Sequence, residues 1–215
     1  MFPERIETDR LVLERLSRDA VGILDLHRHL AADNDNAREE LQYLPWGPFE
    51  TPMGTREWIL EAERRWDDGD RATYLLRAGE NLEGPGDLVG VSYLDLFWER
   101  RAGEMVVWTR KPYWGRGLLV EFAMELHDLA FLDLDLEMMI AECFEEAEPL
   151  RERYETYVES FDGHYDGLLR NQVPADGEVK NVHRFTLSRE EYLRTTGRLD
   201  EASEDAAQTP TPEAD

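Results

Sequence analysis

The chain has 215 residues, of which 41% are hydrophobic and 10% aromatic, so it is long enough to fold around a sizeable core and is not intrinsically disordered. Its 48 acidic and 24 basic residues give a net charge of −24, which excludes non-specific binding to nucleic-acid phosphates. The single cysteine excludes an intrachain disulfide, and no apolar run predicts a membrane span or a signal peptide. We therefore expect a soluble cytoplasmic protein with no membrane partner.

The excess of acidic residues extends along the whole chain. Only Lys111 and Lys180 are lysines, and every other basic residue is an arginine. This pattern predicts a protein of a salt-rich cytoplasm, such as that of a halophilic archaeon, where ions screen the repulsion between carboxylates. The alternative is an ordinary acidic protein with a disordered acidic tail. Residues 199–215, which are acidic and lack hydrophobic periodicity, are predicted to form such a tail after a single domain over residues 1–198.

The first third of the chain predicts one strand followed by helices. Arg10–Leu16 alternates apolar and polar residues and predicts a strand. Asp19–Ala32 predicts a helix, and the polar connector Asn34–Leu44 becomes helical. Another helix is predicted over Thr55–Asp67, with Thr51 or Thr55 as its cap. No spacing of histidine, cysteine and acidic residues completes a metal site, so we predict no metal.

The middle of the chain predicts two strands and then a strand, a glycine loop and a helix. Thr73–Arg77 and Leu88–Trp98 predict strands, and the second pairs through a turn with the strand Met105–Thr109. Beyond Gly115-Arg116-Gly117, apolar residues recur at helical spacing up to Ala130. The glycines allow an anion to approach the backbone, and the free N–H groups of the first helical turn favour a diphosphate. The alternative is a tight strand-to-helix turn without a ligand.

The last third predicts a strand, a helix and a closing hairpin. Leu136–Phe144 is strongly apolar, and a right-handed crossover places it next to the Met105–Thr109 strand. Glu148–Phe161 predicts a helix, and Tyr165–Asn171 pairs with Val179–Ser188 as a hairpin.

One run of residues resembles a known family. Tyr113–Glu121, which reads YWGRGLLVE, is similar to the acetyl-CoA pyrophosphate loop of the GCN5-related N-acetyltransferases (GNAT). Within that superfamily it most resembles the RimJ/RimL branch, which modifies protein N-termini and similar amines. Ile6–Leu11, Asp166–Asn171 and Ser188–Tyr192 resemble the same branch, so the resemblance covers roughly residues 5–193.

The resemblance implies a fold and an activity. The fold is α/β, with a mixed, mostly antiparallel sheet of about seven strands that splays into a V and is flanked by four main helices. The implied function is transfer of an acetyl group from acetyl-CoA to a primary amine by direct attack in a ternary complex. The branch points to a protein N-terminus as acceptor, and the acidic surface suits basic acceptors. The protein would be a monomer or a homodimer.

The resemblance also implies how the cofactor is bound. Backbone N–H groups of the glycine loop would hold the diphosphate, and three cations within seven residues, Arg110, Lys111 and Arg116, would supply positive charge. The backbone after the hairpin turn would hydrogen-bond the pantetheine arm as another strand does, and one N–H there would polarise the thioester carbonyl. The residues expected to contact the cofactor are Val106, Val107, Trp108, Arg110, Trp114, Gly115, Arg116, Gly117, Leu118 and Leu119.

Two residues are the catalytic candidates. Glu104 matches an acidic residue of the branch just before the strand and would be the general base; the alternative is a solvated turn carboxylate. Tyr154 falls at the position of a family tyrosine and would be the general acid; the alternative is a core aromatic. Leu119 replaces the family's Ala or Gly, and Ala147 replaces its Asn. These departures leave two alternative functions open. One is a catalytically degenerate acyl-CoA sensor or interaction module, and the other is a binder of another nucleotide diphosphate.

Overall fold

The computed structural model describes residues 1–175 and 177–198, so the tail predicted at 199–215 lies outside the described residues. Eight strands form one sheet in the order β1-β2-β3-β4-β5-β6-β8-β7. Every neighbouring pair is antiparallel except β5 and β6, which are parallel. The strands are β1 Arg5–Glu7, β2 Leu11–Arg15, β3 Arg71–Ala78, β4 Leu88–Phe97, β5 Ala102–Thr109, β6 Met138–Phe144, β7 His164–Ala175 and β8 Glu178–Ser188.

Six α-helices flank the sheet within the described ranges: α1 Ile23–Leu30, α2 Asp35–Leu41, α3 Pro52–Asp67, α4 Leu118–Asp128, α5 Glu148–Glu159 and α6 Arg189–Thr196. Local signals explain several of their starts. Thr51 caps α3 by accepting a hydrogen bond from the Gly54 N–H, and Ser188 forms a capping box with Glu191 at α6. In the part of the chain that is described, no helix is both long and apolar enough to cross a membrane.

The predicted α/β fold with a V-splayed, mostly antiparallel sheet is confirmed, with differences in detail. The short strand β1 brings the sheet to eight strands, against about seven. The short helices α2 and α6 bring the helices to six, against four main ones. The helix predicted from Asp19 begins only at Ile23. The preceding residues form a turn instead, in which the N–H groups of Ala20 and Val21 donate to the Ser17 carbonyl.

The V opens between the two parallel strands. They pair only over residues 102–104 of β5 and 138–140 of β6. Beyond that point β5 stays hydrogen-bonded to β4 as far as Thr109, while β6 stays bonded to β8 as far as Phe144. Each strand is therefore held on its outer side, and the inner edges are free to face a ligand.

Three apolar clusters hold the layers together. One packs α1, α2 and α3 on one face of the sheet around Leu26, Ile59 and Trp108. Another packs α4 and α6 on the opposite face and includes Phe122 and Tyr192. The third lies under α5, against β6 and β8. The chain therefore surrounds the V with helices on both faces.

Gly90 sets how closely β4 approaches β5. A Cβ built at Gly90 would lie 2.0 Å from the Trp108 carbonyl oxygen, so only glycine allows this spacing.

Candidate active site

The glycine loop lies at the wide end of the V, where β5 leads into α4. Gly115 and Gly117 both have φ of +72°, which other residues rarely adopt. A Cβ at Gly115 would meet nothing within 4 Å, and one at Gly117 would meet only the Arg10 guanidinium at 4.0 Å. Among the described residues, the N–H groups of residues 115–119 donate to no backbone or side-chain acceptor. The loop therefore presents free donors to open space, as an anion requires.

A clamp behind the loop orients these donors. We call Thr8, Arg10 and Glu121 the loop clamp. The Arg10 guanidinium donates to the carbonyls of Arg116 at 2.8 Å and Gly117 at 3.4 Å, so both carbonyls turn away from the cleft. Glu121 accepts from the Arg10 Nε at 2.7 Å, from the Arg10 backbone N–H at 2.6 Å and from the Thr8 hydroxyl. Burial raises the pKa of Glu121, but these donors outweigh it and hold the pKa below its ordinary value.

The three cations of the predicted cluster have different surroundings. Lys111 forms an ion pair with Glu39 at 2.6 Å, and Arg110 donates to the Leu88 carbonyl at 2.7 Å. The Arg116 guanidinium lies 5.5 Å from the centre of the Tyr113 ring and forms no ion pair with a described residue. Arg110 and Arg116 therefore both keep a charge that no described carboxylate neutralises, whereas Lys111 is paired.

A cleft of about 310 Å³, here called the loop cleft, runs from the glycine loop along the gap of the V. Trp114 borders it, 37% exposed, and its indole N–H donates to the Thr109 carbonyl at 2.9 Å. The half-buried Leu119 lines its wall, whereas the Leu118 side chain is buried in the core and offers only its backbone. Sequence reasoning missed Arg153 of α5, which lines this cleft and has no ion-pair partner in the described ranges.

The backbone of β5 faces the gap at alternate residues. The Arg110 N–H donates to the Val89 carbonyl at 2.8 Å, so in this antiparallel pair the backbone groups of Val106 and Trp108 also point toward β4. The N–H and C=O of Val107 point the other way, into the gap. Of the three residues predicted to bind a pantetheine arm through the backbone, Val107 is the one with these groups free.

A second cleft, of about 360 Å³, lies on the opposite side of the gap and is called the charged cleft. A row of charged side chains crosses it from strand to strand. Arg71 of β3 lies opposite Asp95 of β4, which lies opposite Glu104 of β5. Glu142 of β6 continues the row and lies opposite Arg184 of β8. The register of five strands therefore brings together residues from distant parts of the chain.

Two carboxylates of this row are neutralised by arginine. Asp95 accepts two hydrogen bonds from Arg71, at 2.6 and 2.5 Å, and pairs with Arg65 at 2.9 Å. Glu142 accepts from two nitrogens of Arg184, at 2.7 and 2.6 Å. Sequence reasoning singled out none of these five residues. The signal that marks Asp95 and Glu142 is a lone acidic residue inside an otherwise apolar strand.

Glu104 has no such partner. Within the described residues its carboxylate makes no hydrogen bond and no ion pair, although it lies at the last paired position of β5, where the V opens. Burial, followed by the charges of Glu142 and Asp95, raises its pKa to about 7 against the opposing effect of Arg184 and Arg71. A carboxylate of this kind exchanges protons near neutral pH, which suits a general base.

Tyr154 of α5 lies where the charged cleft meets the gap. It is 8% exposed, packs edge-on against Phe185 at 6.0 Å, and its hydroxyl forms no hydrogen bond with the described residues. Burial raises its pKa, so the phenol stays protonated and can donate a proton. Ala147 is fully buried before the first turn of α5, where its carbonyl accepts from Leu150 and Arg151.

The site does not support a cysteine nucleophile. Burial raises the pKa of the Cys143 thiol to about 12, which disfavours a thiolate nucleophile. Over residues 1–175 and 177–198, no group of three or more histidine, cysteine or acidic side chains is arranged to hold a metal ion.

This chain resembles known acetyltransferases in sequence and in fold. Residues 10–152 match the family model described as acetyltransferase (GNAT) domain. A GNAT-family acetyltransferase from Bacillus anthracis is 19% identical, with a TM-score of 0.64 over 86% of this chain and 99% of that one. A GCN5-related N-acetyltransferase from Brucella melitensis is 16% identical, with a TM-score of 0.71 over 91% and 85%.

A third similar structure contains ligands. It is the spermidine N-acetyltransferase from Vibrio cholerae in complex with CoA and spermine, 18% identical, with a TM-score of 0.65 over 85% of this chain and 98% of that one. At these identities the structures show a shared fold. No curated protein matches the sequence.

Proposed function

Because this chain belongs to the GNAT acetyltransferase family, we propose that it transfers an acetyl group from acetyl-CoA to a primary amine. The observation that carries this proposal is Glu104, a half-buried carboxylate that lies where the V opens and forms no ion pair or hydrogen bond with a described residue. Bound acetyl-CoA would supply the acetyl group as a thioester. The remaining chemistry, binding and proton transfer, falls to residues of this chain.

The residues of the loop cleft fit a CoA diphosphate. The left-handed glycines leave open space in which a Cβ would otherwise project, and the free N–H groups of residues 115–119 are the donors that phosphate oxygens need. Arg116 and Arg153 add positive charge that no described carboxylate neutralises. Val107 offers its backbone N–H and C=O to a pantetheine arm.

The proton transfers are assigned to two residues. Glu104 removes a proton from the acceptor ammonium, and the pKa near 7 lets it do so at neutral pH. The amine nitrogen then forms its bond to the acyl carbon as the carbon–sulfur bond breaks. Tyr154, kept protonated by burial, gives its proton to the departing sulfur. The acylated nitrogen gives its remaining extra proton to the Tyr154 phenolate, and Glu104 releases its proton to solvent. The net products are the amide, the free CoA thiol and one proton.

The acceptor we propose is a protein N-terminus, and the RimJ/RimL resemblance of residues 113–121 and 166–171 supports it. The similar Vibrio cholerae enzyme acts on spermidine, so a polyamine is the rival acceptor. Peptides with a free N-terminus but no lysine, assayed beside spermidine, separate the two. Transfer to spermidine alone would overturn the N-terminal assignment. Cytoplasmic location, adaptation to high salt and the RimJ/RimL branch remain proposals that rest on the sequence.

The test is calorimetric titration of acetyl-CoA in molar KCl. We expect saturable binding that Gly117→Trp abolishes, because the indole would occupy the anion's place. Gly86→Trp is the matched control: Gly86 also has positive φ, +85°, and a Cβ there meets nothing within 4 Å, but it lies in the turn before β4. Both variants carry the same backbone strain, so a difference between them reports the site.

The outcomes separate the candidate functions. Binding followed by transfer to an amine supports the enzyme. Binding without transfer to any amine would identify the degenerate sensor, for which the absent Asn at Ala147 is the supporting observation. No binding by the folded protein overturns the enzyme proposal. Competing ADP that binds more tightly than acetyl-CoA would indicate a receptor for another nucleotide diphosphate.

A further inference from the structure

The charged cleft is lined by a cation that the proposed mechanism does not use. Arg100 lies in the turn between β4 and β5 and lines the cleft together with Phe97. Its guanidinium lies 4.1 Å from the centre of the Phe97 ring and forms no ion pair or hydrogen bond with a described residue. The other two arginines that line this cleft, Arg71 and Arg184, are paired with carboxylates. Arg100 therefore keeps its charge available to a ligand.

Strand register places Arg100 on the same face of the sheet as Glu104. Phe97 and Asp95 are two residues apart on β4, so their side chains share a face, and Asp95 lies opposite Glu104. Two residues along a strand span about 7 Å. The guanidinium over the Phe97 ring therefore lies roughly one such step along the cleft from the Glu104 carboxylate. At this spacing the two groups do not pair with each other, and one small acceptor can contact both.

The charged row, together with Arg65 and Arg100, holds more cations than carboxylates, although the whole chain carries a net charge of −24. Asp95 is shared by two arginines, and Glu142 pairs with one. Arg100 adds a further cation, so a positive charge remains even when Glu104 is ionised. A polyamine would bring extra ammonium groups toward this charge, whereas an acceptor with a carboxylate beside its amine complements both ends of the cleft. The cleft therefore favours a different acceptor from the basic ones that suit the acidic surface as a whole.

We propose that Arg100 binds a carboxylate of the acceptor, so that this protein acetylates amines that carry an acidic group close to the reacting nitrogen. The inference rests on the proposed function and deepens it by naming the chemical class of the acceptor. The Arg100 N–H groups donate to the acceptor carboxylate while Glu104 receives the ammonium proton. Arg100 takes part in no bond that forms or breaks, so the balance of the transfer is unchanged. Two sources offer this chemistry: a protein whose first residue is acidic, and a free amino acid.

The experiment measures kcat/KM with acetyl-CoA for acceptors that differ in the charge near the amine. Three lysine-free peptides, identical except that they begin with Glu, Gln or Arg, are assayed beside free glutamate and spermidine. We expect the Glu peptide to exceed the Gln peptide roughly tenfold, about the effect of one charge-assisted hydrogen bond, and spermidine to be a poor acceptor. A free glutamate that is acetylated faster than the Glu peptide would support the carboxylate contact with an amino acid as its source.

Three outcomes overturn the inference. A Gln peptide that equals or exceeds the Glu peptide would show that the carboxylate is not recognised, while leaving the acetyltransferase intact. Spermidine as the best acceptor would lead to the same conclusion. If acetyl-CoA binds and none of these amines is acetylated, both this inference and the proposed transfer fail.

Two substitutions locate the preference at Arg100, whose exposure makes a folding defect unexpected. Arg100→Gln should bring the ratio of Glu-peptide to Gln-peptide kcat/KM close to one, mainly through KM. Arg100→Glu should make the Arg peptide a better acceptor than the Glu peptide. Arg56→Gln is the matched control, because Arg56 of α3 also has no ion pair with a described residue but lines neither cleft. If Arg100→Gln keeps the wild-type ratio, or Arg56→Gln loses it equally, the inference is wrong.

Discussion

The two clefts of this protein are lined by different chemical groups. The loop cleft depends on a contiguous stretch, residues 113–119, and it presents mainly backbone N–H groups. The charged cleft depends on side chains of five strands, from Arg71 to Arg184, aligned by sheet register. A binding site made of backbone needs only a local conformation, whereas a site made of charges needs the whole sheet.

The clefts also differ in the number of hydrogen-bond donors that their carboxylates receive. Glu121, behind the glycine loop, receives three donors, and its pKa lies below its ordinary value. Glu104 receives none, and its pKa is raised to about 7. Since the folded protein holds the Glu104 proton more tightly than the unfolded chain, the free energy of unfolding falls as the pH rises from about 4.5 past 7. Ionised Glu121 thus stabilises the fold, whereas ionised Glu104 destabilises it.

The sharpest test of this division is Glu104→Gln. If the charged cleft carries the chemistry and the loop cleft the binding, kcat/KM for transfer should fall roughly 10² to 10⁴-fold while acetyl-CoA affinity stays unchanged. In the wild type, activity should rise with pH through about 7, because Glu104 must be ionised, and the variant should lose this inflection. Steady-state kinetics and calorimetry over pH 5 to 9 measure both effects.

Glu104→Gln should also change the unfolding temperature of the protein. Near pH 8 the variant should unfold at a higher temperature than the wild type, since it removes a buried charge whose cost is on the order of 3 kcal/mol. Near pH 4 the two proteins should unfold alike. An unchanged pH profile of transfer would remove Glu104 from the mechanism, whatever the stability result.

Tyr154→Phe is expected to have a smaller effect than Glu104→Gln. It tests the residue that lies where the charged cleft meets the gap. Without the phenol proton the departing sulfur leaves less readily, so kcat should fall roughly 10²-fold while the KM for the acceptor changes little. The fall should persist at high pH, because burial raises the Tyr154 pKa and keeps the wild-type phenol protonated. Tyr157→Phe, on the same helix, is the control. Equal losses in both variants would indicate a packing effect instead.

The loop clamp gives the smallest expected effect and probes the loop cleft alone. Glu121→Gln weakens the hold on Arg10, so the KM for acetyl-CoA should rise roughly tenfold, the equivalent of one charged hydrogen bond, with kcat nearly constant. Glu125→Gln, one turn along α4, is the matched control and should leave the KM unchanged. A fall in kcat without a change in KM would show that the two clefts are not separable.

The sequence predicted the loop cleft in more detail than the charged cleft. The order of Met105–Thr109, the two glycines and the helix from Leu118 is a local signal, and the structure has the strand, the left-handed glycines and the helix in that order. Glu104 and Tyr154 were named through family resemblance, and their catalytic roles remain predictions. Periodicity could not show which backbone groups of β5 face the gap, because that depends on its register with β4.

The sequence by itself determined most helices and strands and the glycine loop, because hydrophobic periodicity, caps and glycine act between residues close in the chain. The fold class followed from the family resemblance. Only the tertiary structure decided that Glu104 lies near Asp95, Glu142 and their arginines without an ion pair of its own to a described residue. Ion pairing and desolvation depend on which strands are neighbours, and that arrangement brings together residues as far apart as 71 and 184.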